Sequence, residues 1–220
     1  MKISCAIFDF DGTLFDSMYI WDSVSDDYLR SLGKIPTPYM REDVRPLSLY
    51  QSACYFQREY GLTLSVEEIL AGIRQTVEHY YTQEVQPKPG VKAFLDELKN
   101  AGASICIATA TDRPLIEAAL NRCGMEGWSQ AIFTCGEVGH GKDEPIIFRS
   151  AMEHFGADRD SAIVFEDALH AARTAKADGF AVAAVYDGSE KRQEAMRALA
   201  DCYLPDYFHT EEFWKFALAE

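Results

Sequence analysis

Positive charge is scarce in this chain of 220 residues: 21 lysines and arginines face 35 aspartates and glutamates, a formal net charge of −14. A surface of that sign repels nucleic acid and anionic membrane, so neither is expected as the main partner. Long apolar runs are missing too, and no stretch approaches the roughly 20 apolar residues of a membrane span. Asp9 and Asp11 interrupt the first apolar stretch, so no signal peptide is expected. The cysteines are unpatterned: Cys5, Cys54, Cys106, Cys123, Cys135 and Cys202 form no C-x-x-C pair and no zinc spacing. Reduced thiols in a cytoplasmic protein are the expectation, with Cys5 and Cys106 as small hydrophobes inside strands. Internal repeats, low-complexity tracts and long charge blocks are also absent. What is present, a 48% apolar composition, can bury one substantial core plus a small subdomain.

The most informative run is Phe8-Asp9-Phe10-Asp11-Gly12-Thr13-Leu14-Phe15-Asp16-Ser17. It follows Ile3-Ser4-Cys5-Ala6-Ile7, a short apolar stretch that reads as a buried strand. Residues i and i+2 of an extended chain point to one side, so Asp9 and Asp11 are aimed at one place. Two carboxylates held that close resist joint ionisation unless a cation or a shared proton intervenes. Ligands of open α/β sheets bind outside the carboxyl ends of strands, where this pair falls. Asp-x-Asp-Gly also occurs in plain turns and in calcium loops, although the acidic spacing of an EF-hand does not follow here.

Three later segments have the same form, a polar group closing an apolar strand or opening a helix. Ala103-Ser104-Ile105-Cys106-Ile107-Ala108 reads as a strand that ends in Thr109-Ala110-Thr111-Asp112, with Arg113-Pro114 opening a helix. A hydroxyl beside free helical N–H groups can cradle phosphate, and it can equally serve as a cap. Lys142 lies in Gly139-His140-Gly141-Lys142-Asp143-Glu144-Pro145, ahead of the helix-like Ile146-Ile147-Phe148. Ser161-Ala162-Ile163-Val164-Phe165 runs into Glu166-Asp167, hard oxygen donors of the kind magnesium takes and also common at a helix N-terminus.

In this order, the four segments resemble the motifs of the haloacid dehalogenase superfamily, in its phosphatase and β-phosphoglucomutase branch. The resemblance implies an α/β fold: a Rossmann-like parallel-sheet core with a small all-helical cap domain inserted after the first strand. It implies Asp9 as nucleophile, Asp11 as general acid and base, and Thr109 and Lys142 as ligands of the transferring phosphoryl group. It implies Mg2+ held by Asp9, the Asp11 backbone carbonyl, Glu166 and Asp167. Gly12, Ser17, Trp21, Ala110, Thr111 and Arg113 are the candidate substrate-binding residues. The lysine motif departs from the family, since Asp143-Glu144 stands between Lys142 and the proline that usually follows directly.

The expected activity is Mg2+-dependent hydrolysis of a small phosphorylated metabolite (a sugar phosphate, phosphoglycolate or a nucleotide) through an aspartyl-phosphate. The alternatives are a β-phosphoglucomutase-like mutase and a non-catalytic phosphometabolite-binding protein. Asp11 favours phosphoryl transfer over dehalogenation. Trp21 stands where a mutase is expected to carry a histidine, and Leu49 falls near the place of a phosphate-binding arginine. Arg41, Arg45, Arg58 and Arg74 are scattered and make no evident second-phosphate patch. A monomer is expected.

Organisation follows the same reading. Residues 1–15 and 88–220 alternate strand and helix and are assigned to the core, and 16–87 to the cap. The cap segment has helical patterns over about 18–32, 48–60 and 65–82, broken at Pro36, Pro38 and Pro46. Core helices are expected over about 90–101, 113–123, 144–155 and 168–178, and strands over 104–108, 131–134, 161–165 and 180–185. The tail reads helical over 189–200 and 211–218, with a short edge strand at Tyr203-Leu204. Tyr19 and Trp21 are the cap aromatics expected nearest the site.

Overall fold

The structure is a computed structural model and describes residues 3–44 and 49–218. In chain order its elements begin with β1 (Cys5–Phe8), β2 (Phe15–Asp16), α1 (Tyr19–Ser31), α2 (Met40–Val44), α3 (Leu49–Tyr60), α4 (Val66–Gln83) and β3 (Gln86–Pro87). There follow α5 (Val91–Asn100), β4 (Ser104–Thr109), α6 (Arg113–Arg122), β5 (Ala131–Thr134), α7 (Cys135–Val138) and α8 (Ile146–His154). The chain closes with β6 (Ala162–Glu166), α9 (Leu169–Ala177), β7 (Ala181–Val185), α10 (Gln193–Leu199), β8 (Cys202–Leu204) and α11 (Glu211–Leu218). It divides into two compact units, one of residues 1–17 and 85–220, the other of residues 18–84.

The larger unit is an α/β Rossmann-like core. Its six-stranded sheet has the order β5-β4-β1-β6-β7-β8, and every neighbouring pair is parallel. β1 lies between β4 and β6, and all four of its residues are buried, which explains its unbroken apolar sequence. The chain leaves β1 toward β4 and β5, then returns to β6 on the other side. The crevice beside β1 is therefore the switch point where open α/β sheets bind ligands.

Helices cover both faces of the sheet. On one face Cys5, Ile7, Cys106, Val164 and Val182 pack against Ile147, Phe148, Ala171, Ala172 and Ala175 of α8 and α9. The other face carries an aromatic cluster: Phe8 stacks on Phe165 with ring centroids 4.0 Å apart, and Phe94 of α5 lies 5.1 Å from Phe213 of α11. α5 buries Val91, Phe94, Leu95 and Leu98, the spacing of one helical stripe. A two-residue antiparallel ribbon, β2 with β3, pairs Phe15 with Pro87 and Asp16 with Gln86.

The smaller unit is helical among its described residues. α4 starts at a capping box, in which the Ser65 hydroxyl accepts from the Glu68 N–H and the Glu68 carboxylate accepts from the Ser65 N–H at 2.8 Å. α1 and α4 meet through Tyr28 and Gly72. A Cβ at residue 72 would collide with the Tyr28 ring, so glycine lets this ring seat. Arg45 and Pro46 lie outside the described residues, as does the side chain of Leu49. α2, α7 and the β2–β3 ribbon are elements that hydrophobic periodicity does not predict, because each is too short to display a period.

Candidate active site

Strand register assembles the site. Phe8 of β1 pairs with Ile107 of β4 and with Phe165 of β6, so Asp9, Thr109 and Glu166 emerge together at the carboxyl edge of adjacent strands. Gly12 follows with φ of 80°, a left-handed conformation that glycine adopts without strain, and turns the chain back at once. The turn is closed by the N–H groups of Leu14 and Phe15, which both donate to the Phe10 carbonyl at 2.9 Å.

Three buried carboxylates and one buried ammonium form the centre. Asp9, Glu166 and Asp167 are 7%, 1% and 3% exposed, and each offers an oxygen within 4.8 Å of those of the other two. Lys142 is 8% exposed; its Nζ donates to Asp9 Oδ1 and, at 2.8 Å, to Glu166 Oε1. The other Glu166 oxygen accepts from the N–H groups of Asp167 and Ala168 at 2.9 and 3.1 Å. Thr13 donates its hydroxyl to Asp167 Oδ1 at 3.0 Å.

The electrostatics follow from burial. Loss of solvent pushes the Asp9 carboxyl up to about 8; Lys142 pulls it down, while Glu166 and Asp11 add to the rise. Asp167 is raised well above the carboxylate range, first by burial and then by Glu166 and Asp9. Burial alone would discharge Lys142, but Asp9 and Glu166 more than offset it and hold the ammonium above the usual lysine range. One ammonium against three carboxylates leaves an excess of two negative charges when all are ionised. A divalent cation balances that excess, and hard carboxylate oxygens are donors magnesium accepts, so the residues present fit such an ion.

Around this centre the predicted residues separate. Asp11 is held by two hydroxyls, Ser17 Oγ to Oδ1 and Thr111 Oγ1 to Oδ2, each at 2.6 Å. Thr109 is fully buried and its Oγ1 accepts from the Thr111 N–H at 3.0 Å. Ala110 is exposed at the end of β4. Arg113 is directed elsewhere: its guanidinium pairs with Glu137 and donates to the Ile132 carbonyl at 2.7 Å. Trp21 belongs to the helical unit, where it is 47% exposed on α1. Two residues that the sequence reading did not single out join the site, Thr13 through Asp167 and Tyr207 through the Thr13 carbonyl at 3.0 Å. A hydroxyl inside the first motif is a signal for Thr13; nothing local marks Tyr207.

A parallel sheet that gathers buried acids and one lysine at its carboxyl edge, at the switch point, defines an α/β enzyme. A profile of the haloacid dehalogenase-like hydrolases matches residues 6–185, and the chain belongs to that family. The pyrophosphatase PpaX of Bacillus velezensis is 28% identical over 188 residues, which cover 84% of this chain and 83% of that protein. Among solved structures, a Thermotoga maritima protein named as a β-phosphoglucomutase superposes with a TM-score of 0.84 at 18% identity, covering 99% of this chain and 100% of its own. CbbY of Rhodobacter sphaeroides, solved in complex with phosphate, gives 0.75 at 22% identity, covering 94% and 96%. These structures share the fold. The family and its phosphatase relatives make this chain an enzyme, a phosphatase-type hydrolase.

Proposed function

We propose that the chain is a Mg2+-dependent phosphatase of small phosphomonoesters that works through an aspartyl-phosphate on Asp9. The observation that carries this reading is the set of three buried carboxylates beside the carboxyl end of β1, two of which, Asp9 and Glu166, pair with one buried lysine. Burying such charge is costly and calls for a compensating role.

Asp9 and Asp167, with the Asp11 backbone carbonyl, would hold Mg2+, and Glu166 completes the acidic set while its Oε1 also accepts from Lys142. When bound, Mg2+ supplies positive charge beside the transferring phosphoryl group. An Asp9 carboxylate oxygen attacks phosphorus as the bond to the leaving oxygen breaks, and Asp11 delivers its proton to that oxygen. Water then attacks the phosphorus, giving its proton to Asp11 while the bond to Asp9 breaks, so that phosphate leaves and both carboxyls are restored. Thr109 and Lys142 bind the equatorial oxygens and stabilise the charge that builds there. The hydroxyls of Ser17 and Thr111 hold the Asp11 carboxylate, and Gly12, Ala110 and Trp21 remain the other substrate-side candidates.

The relatives named pyrophosphatase favour a second substrate class, pyrophosphate. Both readings are tested by phosphate release from a panel of sugar phosphates, phosphoglycolate, nucleotides and pyrophosphate, with Mg2+ and with chelator. Conversion of β-glucose 1-phosphate to glucose 6-phosphate is followed separately. The expected result is Mg2+-dependent release that Asp9→Asn abolishes. Isomerisation without release would make the chain a mutase, and tight binding without turnover a phosphometabolite-binding protein.

A further inference from the structure

A buried hydrogen bond ties the catalytic loop to the far end of the chain. The Tyr207 hydroxyl, 5% exposed with its residue, donates to the Thr13 carbonyl at 3.0 Å across 194 residues of sequence. From the same residue, the Thr13 hydroxyl donates at 3.0 Å to Asp167 Oδ1, and Thr13 is fully buried. The Tyr207 ring is fixed in turn by Phe94, with ring centroids 5.3 Å apart. We propose that Tyr207 and Thr13 are positioning residues for the metal site, setting the orientation of the Asp167 carboxylate and with it the affinity for a divalent cation. The inference rests on the reading of Asp167 as a metal ligand.

The physical basis is geometric. With Oδ1 held by Thr13, rotation of the Asp167 carboxylate is restricted, and that carboxylate offers an oxygen to the cluster that Asp9 and Glu166 complete. A ligand oriented in advance loses less freedom when the ion arrives, and partners behind a ligand commonly carry tenfold or more of metal affinity. The hydroxyl can hold that direction only while the Thr13 backbone is itself fixed. The rest of the loop is folded on itself through Phe10, Gly12, Leu14 and Phe15, with the Leu14 carbonyl accepting from the Lys88 N–H at 2.8 Å. Tyr207 supplies the hold on the Thr13 peptide from outside the loop.

The test is titration of the full-length chain with Mg2+ alone by calorimetry, in wild type, Thr13→Ser, Thr13→Val, Tyr207→Phe and Asp167→Asn, alongside metal-free melting temperatures. The proposal predicts a dissociation constant raised about tenfold in Thr13→Val and about fivefold in Tyr207→Phe, with Thr13→Ser within about twofold of wild type. Activity at saturating Mg2+ should largely return in both weakened variants. Thr13→Val and Tyr207→Phe that melt lower yet bind Mg2+ as wild type does would overturn the proposal and leave a purely structural role. If Tyr207→Phe does not fold, the comparison of Thr13→Val with Thr13→Ser decides the outcome. Asp167→Asn with undiminished affinity would instead overturn the ligand reading itself.

Discussion

Asp9 and Lys142 show how single residues are set by what surrounds them. Either would be unremarkable on a surface, but burial beside Glu166 and Asp167 makes each depend on the other. The consequence for stability has a definite sign. With its pKa raised by burial to about 8, Asp9 binds a proton more tightly in the folded chain than in the unfolded one. Its contribution is fully present below the ordinary carboxylate range near ~4 and is lost as pH rises through about 8. Asp167 is displaced in the same direction. The opposite case, Glu190, is pushed down to about 2 by Arg192 and changes charge far below this window. We therefore predict that the metal-stripped protein melts at a lower temperature at pH ~8.5 than at pH ~5.5, and that Mg2+ restores most of the loss at the higher pH. A melting temperature that is flat or rises with pH under chelator would contradict this.

At the scale of elements, the site depends on how β1, β4 and β6 are aligned and on what clamps them from behind. The Phe8–Phe165 stack sits directly beneath Asp9 and Glu166, and Phe94, Tyr207 and Phe213 close around it. α11 is thus a structural part of the site despite coming last in the chain. Truncating Phe213, which is fully buried, to alanine is predicted to cost about 3–5 kcal/mol in chemical denaturation. It should also weaken Mg2+ binding, since it loosens the packing around Tyr207. A loss under about 1 kcal/mol would mean that α11 is not integral to the core. The antiparallel ribbon and the four-residue α7 show the limit of periodicity: such short pieces are fixed by their neighbours and carry no pattern of their own.

Across the whole molecule, what the sequence made legible was what is local or periodic. The strands that run into Asp9, Thr109 and Glu166 announce themselves because an apolar run ends abruptly in a polar group. The parallel sheet of the core follows from their alternation with helices. Arg113 is a substrate-binding candidate by resemblance alone, and its pairing with Glu137, distant in sequence, has no local signal. Tyr207 was invisible because its role exists only after the C-terminal segment has folded back onto the first loop. Against a net charge of −14, the buried cation Lys142 lies among the acids of the site. If Asp9 carries the phosphoryl group, the phosphorylated enzyme can be trapped. Asp11→Asn should still be phosphorylated by a substrate with a good leaving group such as p-nitrophenyl phosphate, which needs no acid, but should lack the base for the second step. Rapid quench of this variant with Mg2+, borohydride reduction and peptide mass spectrometry should place the modified aspartate at residue 9. Turnover with no phosphoryl group at Asp9, and with Asp9→Asn as active as wild type, would contradict the account.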